Sequence, residues 1–222
     1  MIRVVAIDGP AGSGKSTVAR GVADALGLEV LDTGAMYRAV TLLAMERGLD
    51  LEDGDAIAAA AEQAVMEIGS PAGSVRLDGR EVSREIRGPG VSGGVSAVSA
   101  HPAVRALLRA RQREWAKERG GGVVEGRDIG TVVFTDAPLK VFLTASDEER
   151  ARRRHRDEEA AERPAELDAV RDAVGRRDTL DHKTTPLEPA ADAVVIDTTG
   201  REVGDVVDEI VARFESAVGA ER

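Results

Sequence analysis

Apolar residues follow two rhythms along the chain. Short unbroken runs have the length of buried strands: RVVAID at 3–8, EVL at 29–31, VVEG at 123–126, KVFLTA at 140–145 and AVVID at 193–197. Between them the apolar positions repeat with helical spacing. Val18, Val22, Ala25 and Leu26 share one face of a stretch that Gly27 ends. Met36, Val40 and Leu43 predict a helix over about 35–47, and Ile57, Ala61, Ala64, Val65 and Ile68 predict another over about 55–68. Pro102 opens a helix whose buried face carries Val104, Leu107, Leu108 and Trp115, and Gly120-Gly121-Gly122 stops it. Val203, Val206, Val207, Ile210, Val211, Phe214 and Val218 form a closing helical stripe. Strands alternating with helices predict parallel βαβ units and hence an α/β fold.

Two stretches depart from that alternation. Val75 and Leu77 alternate with polar residues, Asp78-Gly79 is a two-residue hairpin signal, and Val82 lies on the return arm. Gly88 to Gly94 then breaks the pattern, so about 60–100 is expected to be an insert holding a small sheet. The charged stretch from Asp147 to about Lys183 has few large apolar residues and is expected to be helical but outside the core.

Composition narrows the class. The 222 residues suit one domain with an insert. No apolar run has the length of a membrane span, and a strand-like run starts too early to leave room for a targeting segment. The chain has no cysteine, which removes disulfides and thiolate chemistry and fits the cytoplasm. Its three histidines are far apart, which disfavours a His-based metal site. A net charge of −10 argues against broad binding to nucleic acid or anionic membranes.

The candidate chemistry starts at Gly9-Pro10-Ala11-Gly12-Ser13-Gly14-Lys15-Ser16, followed by Thr17, which matches G-x-x-x-x-G-K-[ST]. The motif follows a strand and opens a helix, the context it requires. Small residues let backbone amides curl round phosphates, and the helix N-terminus points its dipole at the same charge. Lys15 is expected to reach the β- and γ-phosphates of a nucleoside triphosphate, and Ser16 to take Mg²⁺. With no asparagine in the chain, the N-K-x-D base-reading motif of GTPases is absent. A small kinase is the expectation. A UMP or AMP acceptor and a non-catalytic ATP-binding module stay open at this point.

Two further segments point to an acceptor. LDTGAMYR at 31–38 brings Asp32, Thr33 and Gly34 from a strand end to a helix carrying Tyr37 and Arg38. VVEGRDIGT at 123–131 brings Arg127 and Asp128 to the carboxyl end of a buried strand, the edge where open α/β sheets bind ligands. Arg127 and Asp128 fit either a satisfied ion pair or a phosphate-binding arginine beside a base-reading carboxylate. Arg150, Arg152, Arg153, Arg154 and Arg156 fit a solvated helix with i,i+4 pairs such as Glu148–Arg152; a nucleic-acid patch is weakened by the net charge and the lack of nearby aromatic residues.

DGPAGSGKS, LDTGAMYR, SAVSAHPAVR, VVEGRDIGTVVF and RRDTLD, in this order and spacing, resemble the bacterial cytidylate kinases over nearly the whole chain. The resemblance implies a five-stranded parallel sheet flanked by helices, a nucleotide-binding insert at about 60–100 and a helical lid at about 147–186. The core would be about 1–60, 100–146 and 187–222. It implies a monomer that uses ATP and Mg²⁺ to phosphorylate CMP and dCMP. Carried over by position, Arg38 and Arg127 would hold the CMP phosphate, and Ser96, Arg105 and Asp128 would read cytosine. Thr33, Arg177 and Asp181 would lie near sugar or phosphates, and Arg153 and Arg177 would close on the transferring phosphoryl. One departure stands out. The segment Asp181-His182-Lys183-Thr184-Thr185-Pro186-Leu187 is about two residues shorter than the family's and lacks its arginine, for which Lys183 offers only a point charge.

Overall fold

The computed structural model describes residues 2–69, 73–160, 166, 170–172, 175, 179 and 187–219. The elements begin with β1 (Arg3–Asp8), α1 (Lys15–Leu26), β2 (Val30–Asp32), α2 (Thr33–Glu46) and α3 (Gly54–Gln63). Next come β3 (Met66–Ile68), β4 (Val75–Leu77), β5 (Arg80–Glu81), a 3-10 turn at Glu85–Arg87 and α4 (Pro89–Ala100). They are followed by α5 (Pro102–Glu118), β6 (Gly121–Glu125), a π-helical turn at Ile129–Val133 and β7 (Leu139–Thr144). The chain continues through α6 (Asp147–Ala160) and β8 (Val194–Asp197) to α7 (Val203–Gly219).

Strand β1 explains the layering. Its side chains alternate between two cores, because successive residues of a strand face opposite sides. Val4 and Ala6 join a core built with Met36, Val40, Ile57, Val104 and Leu108, while Val5 and Ile7 join one built with Val18, Val22, Val207, Ile210 and Phe214. The expected five-stranded parallel sheet forms in the order β2-β6-β1-β7-β8. Its register brings four acidic strand ends, Asp8, Asp32, Glu125 and Asp197, to the carboxyl edge. No helix among the described residues is long and apolar enough to cross a membrane.

The local expectations fail in three places. The helix expected to reach residue 68 ends at Gln63, and Met66–Ile68 is a strand instead. Ala64 turns extended, and Met66 and Ile68 pair with Leu77 and Val75 across an antiparallel hairpin. Ala64 and Ile68 fit a period of two as well as the helical period, and the partner strand decides. The Asp78 carboxylate fixes the junction by accepting the Val65 N–H at 2.8 Å.

Gly88 to Gly94 does not end the ordered pattern; it leads into and begins α4, with Pro89 in the first turn. A Cβ on Gly94 would stand 2.8 Å from Leu51 Cδ1 and 3.3 Å from Thr41 Cγ2, so the missing side chain lets α4 lie close against α2. The charged stretch after residue 147 is not wholly outside the core, because α6 buries Arg150 and Ala151.

Phe214 is fully buried in the core between α1 and α7. Phe214→Ala is expected to cost about 3–5 kcal/mol in urea unfolding, through lost burial and the cavity left behind. A loss below about 1 kcal/mol would mean that the two helices do not depend on this contact.

Candidate functional site

The loop between β1 and α1 needs glycine for two physical reasons. Gly9 sits at φ 146°, and a Cβ there would meet the Leu143 carbonyl oxygen at 2.1 Å. Gly14 caps α1 in the left-handed region, at φ 90° and without a side-chain cap. The first amides of α1 are therefore available to an anion at the dipole's positive end.

Three cations converge on consecutive carbonyls of this loop. Arg127 Nη1 donates to Gly9 O at 2.8 Å, Lys15 Nζ to Pro10 O at 2.7 Å, and Arg150 Nη1 to Ala11 O at 3.0 Å. They come from three elements: the turn after β6, the start of α1 and helix α6. Arg153 stands beside them. Its Nη1 lies 3.2 Å from where a Gly14 Cβ would be, and it donates to Glu149 and Thr198. Arg152 and Arg156 face outward, against Glu148 and Glu149. Arg150 was not singled out from its neighbours in the sequence. Its one-turn spacing from Arg153 was the available signal, since i and i+3 share a helix face.

Two carboxylates at the sheet edge also escaped the sequence reading. Glu125 is buried at the end of β6, and its Oε2 accepts from Ser16 Oγ at 2.9 Å. Burial raises its pKa most, the Asp32 carboxylate adds to the rise, and Lys15 opposes it. Ser16 Oγ and the Glu125 carboxylate form an all-oxygen donor set of the kind Mg²⁺ prefers. Thr33 Oγ1 donates to the Glu125 carbonyl at 2.7 Å, tying the start of α2 to the end of β6.

Asp8 is the second. Its two oxygens each accept a main-chain N–H at 2.7 Å, from Ile129 and Gly130, and so hold the turn that follows Arg127 and Asp128. Burial pushes its pKa up to about 6, against the lowering effect of those two bonds; Asp128 adds to the rise and Lys15 opposes it. Lys140 braces the same turn from below. Its stem packs under Gly130, and its Nζ reaches Thr135 O at 2.6 Å and Asp192 at 2.8 Å. The signal for Glu125 and Asp8 was a charged residue closing a buried apolar run.

A second cluster lies across α2, α4 and α5. Asp128 is buried and forms an ion pair with Arg105 from α5. Tyr37 lies nearby, its phenol pushed up to about 12 mainly by burial. Arg38 Nη1 donates to Ser92 Oγ at 2.9 Å and to Ile86 O at 3.3 Å, linking α2 to α4 and the turn before it. Ser96 follows Ser92 by one turn of α4 and is half-buried. The structure thus brings Arg105 and Asp128 into direct contact, with Arg127 turned toward the Gly9 loop. Arg177, Asp181 and Lys183 lie outside the described residues.

Comparisons with known proteins agree over the whole length. The family model described as cytidylate kinase matches residues 5–216. The cytidylate kinase of Mycobacterium avium (strain 104) is 51% identical over 211 residues, covering 93% of this chain and 92% of that one. That of Rhodococcus opacus (strain B4) is 51% identical over 222 residues, covering 97% of each. Among solved structures, a gluconokinase from Sinorhizobium meliloti 1021 superposes with a TM-score of 0.51 at 16% identity. The superposition covers 99% of this chain and 95% of that one, a likeness of fold.

The Asp8 shift has a definite sign. Its folded pKa of about 6 exceeds the ordinary value of 3.8, so folding takes up a proton between these values. Its contribution to stability therefore falls as pH rises from about 4 to 6 and is flat above. In urea unfolding, wild type minus Asp8→Asn should be larger at pH 4.5 than at pH 7, by up to about 2 kcal/mol. An equal difference at both pH values would show that the carboxyl titrates alike folded and unfolded.

Proposed function

The chain belongs to the cytidylate kinase family, and on that basis we propose that it transfers the γ-phosphoryl group of ATP to CMP and dCMP, giving CDP and dCDP. The observation that carries this reading is the convergence of Lys15, Arg127 and Arg150 on the loop of Gly9, Pro10 and Ala11. Cations from three elements meet at one helix N-terminus, on the carboxyl edge where α/β sheets bind ligands.

In this reading, residues 9–17 wrap the ATP phosphates, with Lys15 on the β- and γ-phosphates. Ser16 and Glu125 would hold Mg²⁺, which would neutralise charge on the phosphate oxygens. Arg38 and Arg127 bind the CMP phosphate. One of its oxygens, already anionic, attacks the γ-phosphorus in line, and the bond to the β-bridging oxygen breaks to release ADP. No strong general base is needed. Arg127, Arg150, Arg153 and Arg177 stabilise the charge spread over the transferring group. Closure of the segment at about 147–186 excludes water and suppresses ATP hydrolysis.

Asp128 accepts from the N4 amino group of cytosine, while Arg105 and Ser96 donate to N3 and O2. Uracil presents a carbonyl at position 4, which would face the carboxylate without a proton between them. Thr33 and Asp181 complete the acceptor side. The resemblance to the family supports a cytoplasmic monomer, and the acidic net charge argues against binding to nucleic acid or anionic membranes.

ADP release from Mg·ATP, with CMP, dCMP, UMP and AMP offered separately, tests the reading. Turnover is expected with CMP and dCMP and not with the others. Equal turnover with UMP would discard the cytosine contacts, and no acceptor-dependent turnover would discard the kinase. Lys15→Ala should lower kcat at least about 100-fold while the protein stays folded by circular dichroism. Asp128→Asn should reduce the CMP-over-UMP ratio of kcat/KM at least about tenfold, and an unchanged ratio would remove Asp128 from base reading.

A further inference from the structure

The residue after β8 joins three parts of the phosphate site, and neither the motif nor the acceptor segments include it. Thr198 is buried. Its hydroxyl accepts from Arg153 Nη1 at 2.8 Å, and its carbonyl accepts from Arg153 Nη2, also at 2.8 Å. One residue thus fixes both ends of the guanidinium fork, while Glu149 takes the Nε–H at 2.8 Å. The hydroxyl also lies 3.1 Å from Ser13 O, in the loop ahead of α1, and 2.9 Å from Thr144 O at the end of β7.

A hydroxyl has one proton for these two acceptors. The Thr198 N–H serves Thr144 O at 2.9 Å, so that carbonyl keeps a donor when the hydroxyl proton turns to Ser13 O. The neighbouring Thr199 extends the junction. Its hydroxyl oxygen accepts the Ser146 N–H at 2.9 Å, just ahead of α6.

We propose that Thr198 is a positioning residue for ATP. It sets the distance between the Arg153 guanidinium and the Ser13–Gly14 segment, so that the arginine and the α1 amides meet the same phosphates in register. This rests on the reading of Arg153 as a phosphoryl-binding cation.

Val is nearly isosteric with Thr but can neither accept from Arg153 nor donate to Ser13. Thr198→Val should raise KM for ATP and lower kcat, each about tenfold or more, as expected for losing a hydrogen bond to a charged group. KM for CMP should move less than about threefold, and Thr198→Ser, which keeps the hydroxyl, should restore both ATP parameters to within about threefold of wild type. A residue that only stabilises the fold would lower Tm without separating ATP from CMP. Unchanged ATP parameters in Thr198→Val, equal losses in the serine and valine variants, or a loss confined to CMP would each overturn the proposal.

Arg153→Gln separates this proposal from the reading beneath it. If that variant leaves ATP kinetics intact, the role of Arg153 fails and the proposal fails with it. If it impairs ATP use while Thr198→Val does not, only the proposal fails. The double variant should be no worse than Arg153→Gln by more than about threefold, because the two act through one contact. Thr198→Ala substitutes if the valine variant does not fold. If neither folds, the residue serves folding rather than ATP alignment, and the proposal is overturned.

Discussion

Parallel strands that end together force buried acids together. Asp8, Asp32 and Glu125 close neighbouring strands, and the sheet register gives them no freedom to move apart. An uncompensated carboxylate in such a place is costly, so each must be answered. Asp8 takes two amides of the turn after Asp128. Asp32 caps α2 through the Ala35 N–H at 2.9 Å and lies 3.6 Å from Arg87. Glu125 takes the Ser16 hydroxyl and the field of Lys15. Each answer places a part of the site. Asp8 sets the turn bearing Arg127 and Asp128, Asp32 starts the helix bearing Arg38, and Glu125 orients the first turn of α1.

The same edge explains why the arginines of α6 are not equivalent. Along that helix, Glu148 draws off its i,i+4 partner Arg152 and leaves it solvated. Arg150 and Arg153 lie on the side turned to the glycine loop, where carbonyl oxygens and Thr198 receive them. An exposed pair of the first kind contributes little, whereas the second kind fixes geometry. In the proposed reading a single charged run serves both solubility and chemistry, divided by helical phase.

Much of this was legible in residue order. The alternation of apolar runs and helical stripes specified the parallel sheet, because burial on both faces of a strand demands unbroken apolar residues. The G-x-x-x-x-G-K-[ST] loop carried its own context. The hairpin at Asp78-Gly79 was visible, but the strand before it was not, since Ala64 and Ile68 satisfy two periods and only pairing with β4 selects one. Gly88 to Gly94 misled in the opposite way. Propensity disfavours glycine in helices, yet close packing on α2 outweighs it. Glu125, Asp8 and Thr198 were hidden for a common reason: their roles arise from partners far along the chain, and spacing within a motif cannot express them.

The adjacency of β1 and β6 has a metric consequence. Neighbouring strands stand about 4.8 Å apart, held by main-chain hydrogen bonds that no side-chain substitution alters. In the proposed reading the donor loop leaves β1 and the acceptor turn leaves β6, so the interval between the two reactants is ruled off by the backbone itself. Asp128 lies on that turn, while Ser96 and Arg105, on α4 and α5, lie beyond the ruler. A protein built this way can retune part of its acceptor contacts by repacking two helices, while the length of the phosphoryl jump stays the same.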